Sequence, residues 1–303
     1  MEALDLEVLS DQLTALVRAA QEHVVRVEGR RRGAASGVAW SGDGIVVTAH
    51  HVLDRDEEIE IGLPSGETAA ADVVGRDPTT DLAALRVRGV RLAPAAWADA
   101  PLAPGALVLG VSRPGKSPRA ALGVVARAAG EYRGGRGGRI DRFLETTLEL
   151  HAGMSGGLAL SASGAPVGIL SAGLVRGAAM IVPPETLRRV VKSLLSHGEV
   201  RRGYLGIVTA PVTLPPSLRA ATGEHVALLV SRVEEDSPAE RAGILLGDAL
   251  LSFGGDTLQD PSELFALLAE DRIGDAVAMK VLRAGEVRDV TVTIGARGHG
   301  RRS

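Results

Sequence analysis

The sequence predicts a mainly β protein in which two β-barrels precede a smaller domain of mixed α and β structure. Three observations carry this. From His23 to about Val182, short apolar β runs alternate with Gly, Pro and Asp turns and leave little room for helix. After Pro183-Pro184 the pattern changes to longer strands interleaved with helices. Within the β region, a His50-His51 pair, Asp81 and Ser155 follow one another in the order His, Asp, Ser. That is the order of a double β-barrel scaffold, whereas α/β hydrolases run Ser-Asp-His and subtilisins Asp-His-Ser.

Leu6, Leu9, Leu13, Leu16 and Val17 recur at helical spacing with acids near the start, which predicts an amphipathic helix over about 3–21 in an N-terminal segment, 1–22. Domain 23–183 then carries Val24–Val27, Gly44–Thr48, Glu58–Ile61, Ala106–Leu109 and Pro166–Leu170 as strands, punctuated by turns such as Ser41–Gly44 and Pro64–Gly66. Glycine density in Arg133–Arg139 marks a mobile surface loop. In Glu185–His197, Leu187, Val190, Val191, Leu194 and Leu195 share one helical face before Gly198 stops it, so 184–202 reads as a linker helix. Domain 203–295 holds a strand at Val226–Val233, a turn at Ser237–Ala239, a helix over Pro261–Glu270 and two closing strands, Ala276–Arg283 and Val287–Ile294. Residues 296–303 read as a disordered tail.

Composition narrows the function classes. The 303 residues hold 45% apolar side chains but only three Phe, two Trp and two Tyr, so Val, Leu, Ile and Ala must fill the cores. A formal charge of -3 provides no field to gather nucleic acid or an anionic membrane, and Arg30-Arg31-Arg32 reads as solvated arginines beside a strand. Cysteine is absent, which excludes a disulfide framework, thiol redox chemistry and a zinc-thiolate site. Glu2, Asp5, Glu7 and Asp11 stand where an export signal needs positive charge and an apolar run, so the expectation is a cytoplasmic protein. No apolar run is long enough to span a bilayer.

A serine hydroxyl is a weak nucleophile until an imidazole takes its proton, and the imidazole needs a carboxylate to hold its tautomer. Gly153-Met154-Ser155-Gly156-Gly157 suits the nucleophile loop, because the backbone N–H groups at the serine and two residues before it must converge on an oxyanion, with glycine at the second donor. Chemistry alone leaves both His50 and His51 open as the base. A metal pair is disfavoured, since adjacent residues point in different directions and no carboxylate cluster shows ligand spacing. Within Asp77-Pro78-Thr79-Thr80-Asp81 either aspartate could cap a turn. Asp81 is preferred by joint register, thirty positions after His51 and seventy-four before Ser155, and by the apolar Leu82–Leu85 run that would seat it at the edge of a buried strand.

Together Ser36-Gly37-Val38, Val46–Val52, the stretch from Val74 to Ala83, and Gly153–Gly157 resemble, in order and spacing, the signatures of HtrA-type (DegP-like) serine proteases. Arg202–Ile207, Ser237–Ile244 and Gly247-Asp248 resemble the PDZ domain attached in that family. The resemblance covers roughly residues 22–295 and implies a chymotrypsin-like double β-barrel protease domain followed by a mixed α/β PDZ domain. It aligns Thr48-Ala49-His50-His51-Val52 so that His51 is the general base, Asp81 orients it, and Ser155 attacks, with Gly153 and Ser155 N–H as the oxyanion hole. Two departures stand out: Met154 replaces the usual asparagine, and His151-Ala152 replaces a polar residue and proline. Neither removes a backbone donor.

By the same resemblance Tyr204, Leu205, Gly206 and Ile207 form the PDZ carboxylate loop, with the helix after Pro261 as the other wall of a groove for C-terminal peptides. Glu149 and Leu150 fall where trypsin-like enzymes set primary specificity. A Glu149 carboxylate lining that pocket would favour a basic residue before the scissile bond, although the strand can equally turn it to solvent. No cofactor or metal is implied. Expected partners are unfolded or damaged protein segments, C-terminal peptides and further copies of the chain in a trimer or larger oligomer. Arg113–Arg142 and Gly173–Ala178 are the expected mobile gating loops. The alternatives are a catalytically weak or inactive chaperone-like binder, or a scaffold whose protease half is only a platform.

Overall fold

The computed structural model describes residues 5–30, 33–134, 138–268 and 272–297. It divides into two compact units, Met1–Glu199 and Val200–Ser303. The first opens with helix α1 (Leu6–Ala20), whose Asp5 carboxylate caps it by accepting the N–H groups of Glu7 and Val8. Leu16 of α1 lies against Gly164, where a Cβ would meet its Cδ2 at 2.5 Å. Leu6 remains 71% exposed. The part of the predicted helix before Asp5 lies outside the described residues.

Strands β1 (Val24–Glu28), β2 (Ala35–Ala39), β3 (Ile45–Ala49), β4 (Ile59–Gly62), β5 (Thr68–Asp77) and β6 (Leu82–Val87) close a barrel in the order β1-β2-β3-β6-β5-β4. A second barrel follows. After β7 (Leu107–Ser112) and β8 (Arg119–Ala129) comes a small hairpin, β9 (Tyr132–Arg133) with β10 (Arg139–Ile140). Then β11 (Phe143–Thr146), β12 (Leu158–Ser161), β13 (Pro166–Ser171) and β14 (Ala179–Val182) complete the order β11-β14-β13-β12-β7-β8. Aliphatic residues fill both interiors, Val27, Val46, Ile59, Ile61 and Leu85 in the first, Val125, Leu144, Leu170 and Ile181 in the second. This is how a chain poor in aromatics builds two cores: narrow barrels need many small branched side chains at alternating positions.

Helix α2 (Pro184–His197) buries Leu187, Val190, Val191 and Leu194 and packs on β5 and β6, so the first compact unit continues through the helix to Glu199. Gly198 caps it in the left-handed region at φ 75°. Opposite it, Gly75 of β5 comes so near that a Cβ would stand 2.1 Å from the Gly198 carbonyl oxygen. The segment from Arg113 to Arg142, expected to be a mobile loop, departs from that expectation. Much of it is β8 in ladder with β7, and Arg113 is buried, donating to the carbonyls of Val24, Lys116 and Gln21. Residues 135–137 of the glycine-rich patch lie outside the described residues.

In the second unit β15 (Arg202–Tyr204) precedes β16 (Ile207–Thr213), α3 (Pro216–Thr222), β17 (Val226–Val233), α4 (Pro238–Arg241), β18 (Ala249–Phe253), β19 (Asp256–Thr257), α5 (Pro261–Leu267), β20 (Ala276–Arg283), β21 (Glu286–Thr293) and β22 (Gly295–Arg297). The main sheet runs β16-β17-β18-β20-β21, which leaves β16 at an edge. Leu228, Leu250, Phe253, Leu264 and Val281 build its core. Buried Asp248 takes two hydrogen bonds from Arg283, at 2.7 Å each, and the Leu245 N–H. Burial alone would raise its pKa, but these donors hold the carboxyl below the usual range. One expectation is corrected here: residues 296 and 297 are not tail but pair with β15 as the end of β22. Residues 298–303 lie outside the described residues.

Candidate active site

Strand register brings His51 and the Asp81 carboxylate together. β3 pairs antiparallel with β6 so that Ala49 faces Leu82, and the residues just beyond each strand end must meet. His50 N–H accordingly donates to the Asp81 carbonyl at 2.9 Å. The chain turns there through a single helical turn, His50–Val52, which swings His51 toward Asp81. Asp81 itself lies at φ 57°, a left-handed conformation that aspartate tolerates better than most residues. Its carboxylate accepts the His51 backbone N–H at 2.9 Å and His51 Nδ1–H at 2.9 and 2.8 Å. The Asp81 side chain is 4% exposed and that of His51 32%, so the carboxylate is sealed while the imidazole reaches the surface. The other aspartate of the turn, Asp77, accepts Thr79 N–H and both threonine hydroxyls of Thr79 and Thr80. The two acids thus divide the work: Asp77 caps the turn and Asp81 faces the histidine.

Ser155 sits in the turn before β12, anchored by buried Met154 and by the Gly156 N–H, which donates to Leu170 O at 2.8 Å. Gly156 has φ 84°, and a Cβ there would lie 2.0 Å from Ser36 O, so glycine is demanded twice. The Ser155 hydroxyl accepts the Ala172 N–H at 3.3 Å. Among the described residues no hydrogen bond joins it to His51, and neither Gly153 N–H nor Ser155 N–H has a protein acceptor. Those two donors are therefore open to a developing oxyanion. Catalytic hydrogen bonds of this kind often close only around substrate.

Three residues that the motifs did not single out for the site support it. Ser171, at the end of β13, donates its hydroxyl to Asp81 Oδ2 at 2.5 Å and accepts the N–H groups of Gly173 and Leu174. Ser36, buried in β2, donates to Gly153 O and accepts Arg113 N–H, both at 2.8 Å, while its own N–H reaches Ser155 O. Thr48 donates to Ser36 O at 2.7 Å. These bonds tie one barrel to the Gly153–Gly157 loop of the other; Ser36 and Thr48 stand in motifs that assigned them no role, and Ser171, a lone serine on a strand, carries no spacing signal.

Among the described residues the His50 ring makes no hydrogen bond to the Asp81 carboxylate, and its Nδ1 is buried with no partner. Burial and then the nearby Arg76 charge push its pKa below the ordinary 6.5, against opposing pulls from Asp81 and Asp77. Folded His50 therefore binds a proton less readily than unfolded His50, so stability is lost as pH falls below 6.5. The His50→Ala variant is expected to lose less melting temperature than the natural chain between about pH 7 and about pH 5. Parallel declines in the two proteins, followed by circular dichroism, would remove this assignment.

Glu149 is a correction. Its side chain is 83% exposed and lies 3.7 Å from His151 Nδ1, so its carboxylate faces solvent rather than an enclosed specificity pocket. Leu150 instead packs against the second barrel's core. Among the described residues no cluster of three or more His, Asp or Glu is placed to hold a metal.

In the second unit, Gly206 at φ 83° packs so closely that a Cβ would stand 2.2 Å from Ser237 Cβ. Leu205 is buried, its carbonyl accepting Ala239 N–H, and Tyr204 Oη donates to Glu234. Ile207 then opens the edge strand β16, and α5 packs beside it. An open strand edge beside a helix is the geometry that accepts an added peptide strand.

A trypsin-like peptidase domain model matches residues 35–169, and a PDZ domain model matches 203–294. A probable periplasmic serine endoprotease, DegP-like, from Brucella suis is 32% identical over 270 residues, covering 86% of this chain and 52% of the relative. The corresponding Marinomonas protein is 32% identical, covering 89% and 58%. Among solved structures, the serine endoprotease from Yersinia pestis superposes with TM-score 0.74 at 28% identity, covering 94% of this chain and 98% of that one. The chain belongs to the HtrA-like serine protease family. Another HtrA-type structure, the protease AlgW with a decapeptide, superposes with TM-score 0.76 at 25% identity, covering 95% and 99%. This HtrA-like chain spans about half the length of the curated relatives it matches. The expectation of a cytoplasmic protein is overturned, because those relatives are named periplasmic. Among the described residues no helix is long and apolar enough to cross a membrane.

Proposed function

We propose that this HtrA-like chain is a periplasmic serine endopeptidase that cleaves unfolded or damaged protein segments through an acyl-enzyme. The observation that carries the reading is the buried Asp81 carboxylate holding His51 Nδ1–H at 2.8 Å while Gly153 and Ser155 leave two backbone donors open beside the hydroxyl. With Nδ1 protonated, Nε2 is left as the lone-pair nitrogen that takes the Ser155 proton. The hydroxyl oxygen adds to the substrate carbonyl, the oxyanion falls between the two N–H groups, and His51 returns the proton to the leaving amine. Water, activated by the same imidazole, then releases the acyl group and regenerates Ser155.

The PDZ domain contributes a second binding mode. An extended C-terminal peptide adds to β16, its carboxylate held in the Tyr204–Ile207 loop and its side chains against α5. The proposed assembly is a trimer or a larger oligomer of this chain. An inactive, chaperone-like binder draws on the one missing contact, the hydrogen bond between Ser155 and His51. Labelling separates the two readings. Phenylmethylsulfonyl fluoride is expected to add one sulfonyl group to the peptide containing Ser155, seen by mass spectrometry, and to stop casein cleavage in proportion. A chain that binds casein and C-terminal peptides yet takes up no label supports the binder instead.

A further inference from the structure

Two flanks border Ser155. On one, Ala172 N–H reaches its hydroxyl, and Gly173 sits so close to His51 that a Cβ would meet Nδ1 at 2.4 Å. On the other, Gly153 abuts Ala34 and Pro114, where a Cβ would lie 2.5 Å from Ala34 O and 2.6 Å from Pro114 Cβ. That second flank opens into a cleft of about 450 Å³ whose wall includes Arg30, Ala34, Pro114, Ser117, Arg119 and Gly153. A polypeptide placing its carbonyl between Gly153 N–H and Ser155 N–H must cross both flanks. With the residues before the scissile bond on the Ala172 flank, those after it enter the cleft.

The charge of the cleft is one-sided. Among the described residues no carboxylate lines it. Arg30 is fixed by donating Nε–H to Val52 O and Nη2–H to His51 O, each at 3.2 Å, which leaves Nη1 unused by those bonds. Arg119 begins β8, is exposed, and has no carboxylate partner among the described residues. The loop between is held at both ends, by Ser112 Oγ donating to Arg119 O and by Arg113 N–H donating to Ser36. Arg30, held by two hydrogen bonds, and Arg119, on an anchored strand end, present two guanidinium groups without carboxylate partners among the described residues, a site for a carboxylate. We propose that this cleft selects substrates with aspartate or glutamate shortly after the scissile bond. The inference rests on the endopeptidase reading and adds a specificity that the family resemblance does not supply.

The test uses quenched peptides built on the sequence most often cut in casein, amidated at the C-terminus so that the PDZ carboxylate loop does not report. They carry Glu, Ala or Lys at the second and third positions after the scissile bond. For the natural chain, kcat/KM for the Glu peptide is expected to exceed that for the Lys peptide by about tenfold at low salt, shrinking toward about threefold when the Debye length falls below about 8 Å. In Arg119→Glu the order should level or reverse. Equal rates for all three peptides, or an unchanged preference in Arg119→Glu, overturn the proposal. If no peptide is cut at all, the endopeptidase reading fails by itself. The cleft is then judged by fluorescence anisotropy of the same peptides on the Ser155→Ala chain. Tighter binding of the Glu peptide, abolished by adding Arg119→Glu, upholds the site, and equal affinities for Glu and Lys peptides overturn it.

Discussion

Exchange of Ser155 for alanine is expected to lower casein cleavage by about a millionfold while leaving the fold intact. The hydroxyl oxygen is the atom that bonds to the substrate carbonyl, and no neighbouring side chain can replace it: among the described residues the hydroxyl is hydrogen-bonded by the Ala172 N–H alone. What survives is the contribution of the open Gly153 and Ser155 N–H groups and of substrate positioning, about a thousandfold to ten-thousandfold over water. Among the described residues the hydroxyl's one protein hydrogen bond is a 3.3 Å contact with Ala172 N–H, so its loss should change stability by no more than about 1.5 kcal/mol. Turnover of casein fragments and a thermal melt, measured on the same preparation, check both halves. A variant that still cleaves moves the nucleophile elsewhere.

The second large effect belongs to Asp81→Asn, with turnover down by about ten-thousandfold. Asp81 meets only donors: His51 N–H, His51 Nδ1–H and the Ser171 hydroxyl. An amide offers one acceptor oxygen and an NH₂ that must face one of those donors. The least costly escape is for His51 to move its proton to Nε2 and present a bare Nδ1 to the NH₂. That tautomer cannot accept the Ser155 proton. Asparagine also tolerates the left-handed backbone at φ 57°, so the turn should persist and the loss should appear in kcat rather than in folding. A kcat within tenfold of the natural chain would show that His51 takes its orientation from elsewhere.

Much of the candidate site was proposed from the sequence itself. Asp81 and Ser155 stood out by residue type, order and spacing, and Gly153 by the demand for a compact second donor, whereas His51 was chosen over His50 by the family resemblance. Chemistry alone did not separate the two readings of the Asp77–Asp81 turn, since both aspartates can cap it, and in the sequence joint register with His51 and Ser155 only preferred Asp81. The separation came from the β3–β6 register, which delivers Asp81 and not Asp77 to the histidine. Ser171 was silent, and Ser36 stood in a signature motif with no role attached, because a hydroxyl acquires a role only from what the other strands place beside it. Glu149 illustrates the opposite error: its position suggested a pocket, and the backbone turned its carboxylate to solvent.

At the level of the fold, the spacing of apolar residues and of Gly, Pro and Asp turns determined that the chain is mainly β, where the helix near Pro184 starts and where the second unit changes texture. These are local properties, set by side-chain period and backbone restriction within a few residues. Tertiary structure alone decided the rest. The closure of each barrel, the burial of Arg113 in a segment that read as a loop, the pairing of β22 with β15, and the cationic cleft beside Gly153 depend on contacts between residues far apart in the chain. No local pattern encodes such contacts, because they are selected by the packing of the whole core rather than by the neighbours in sequence.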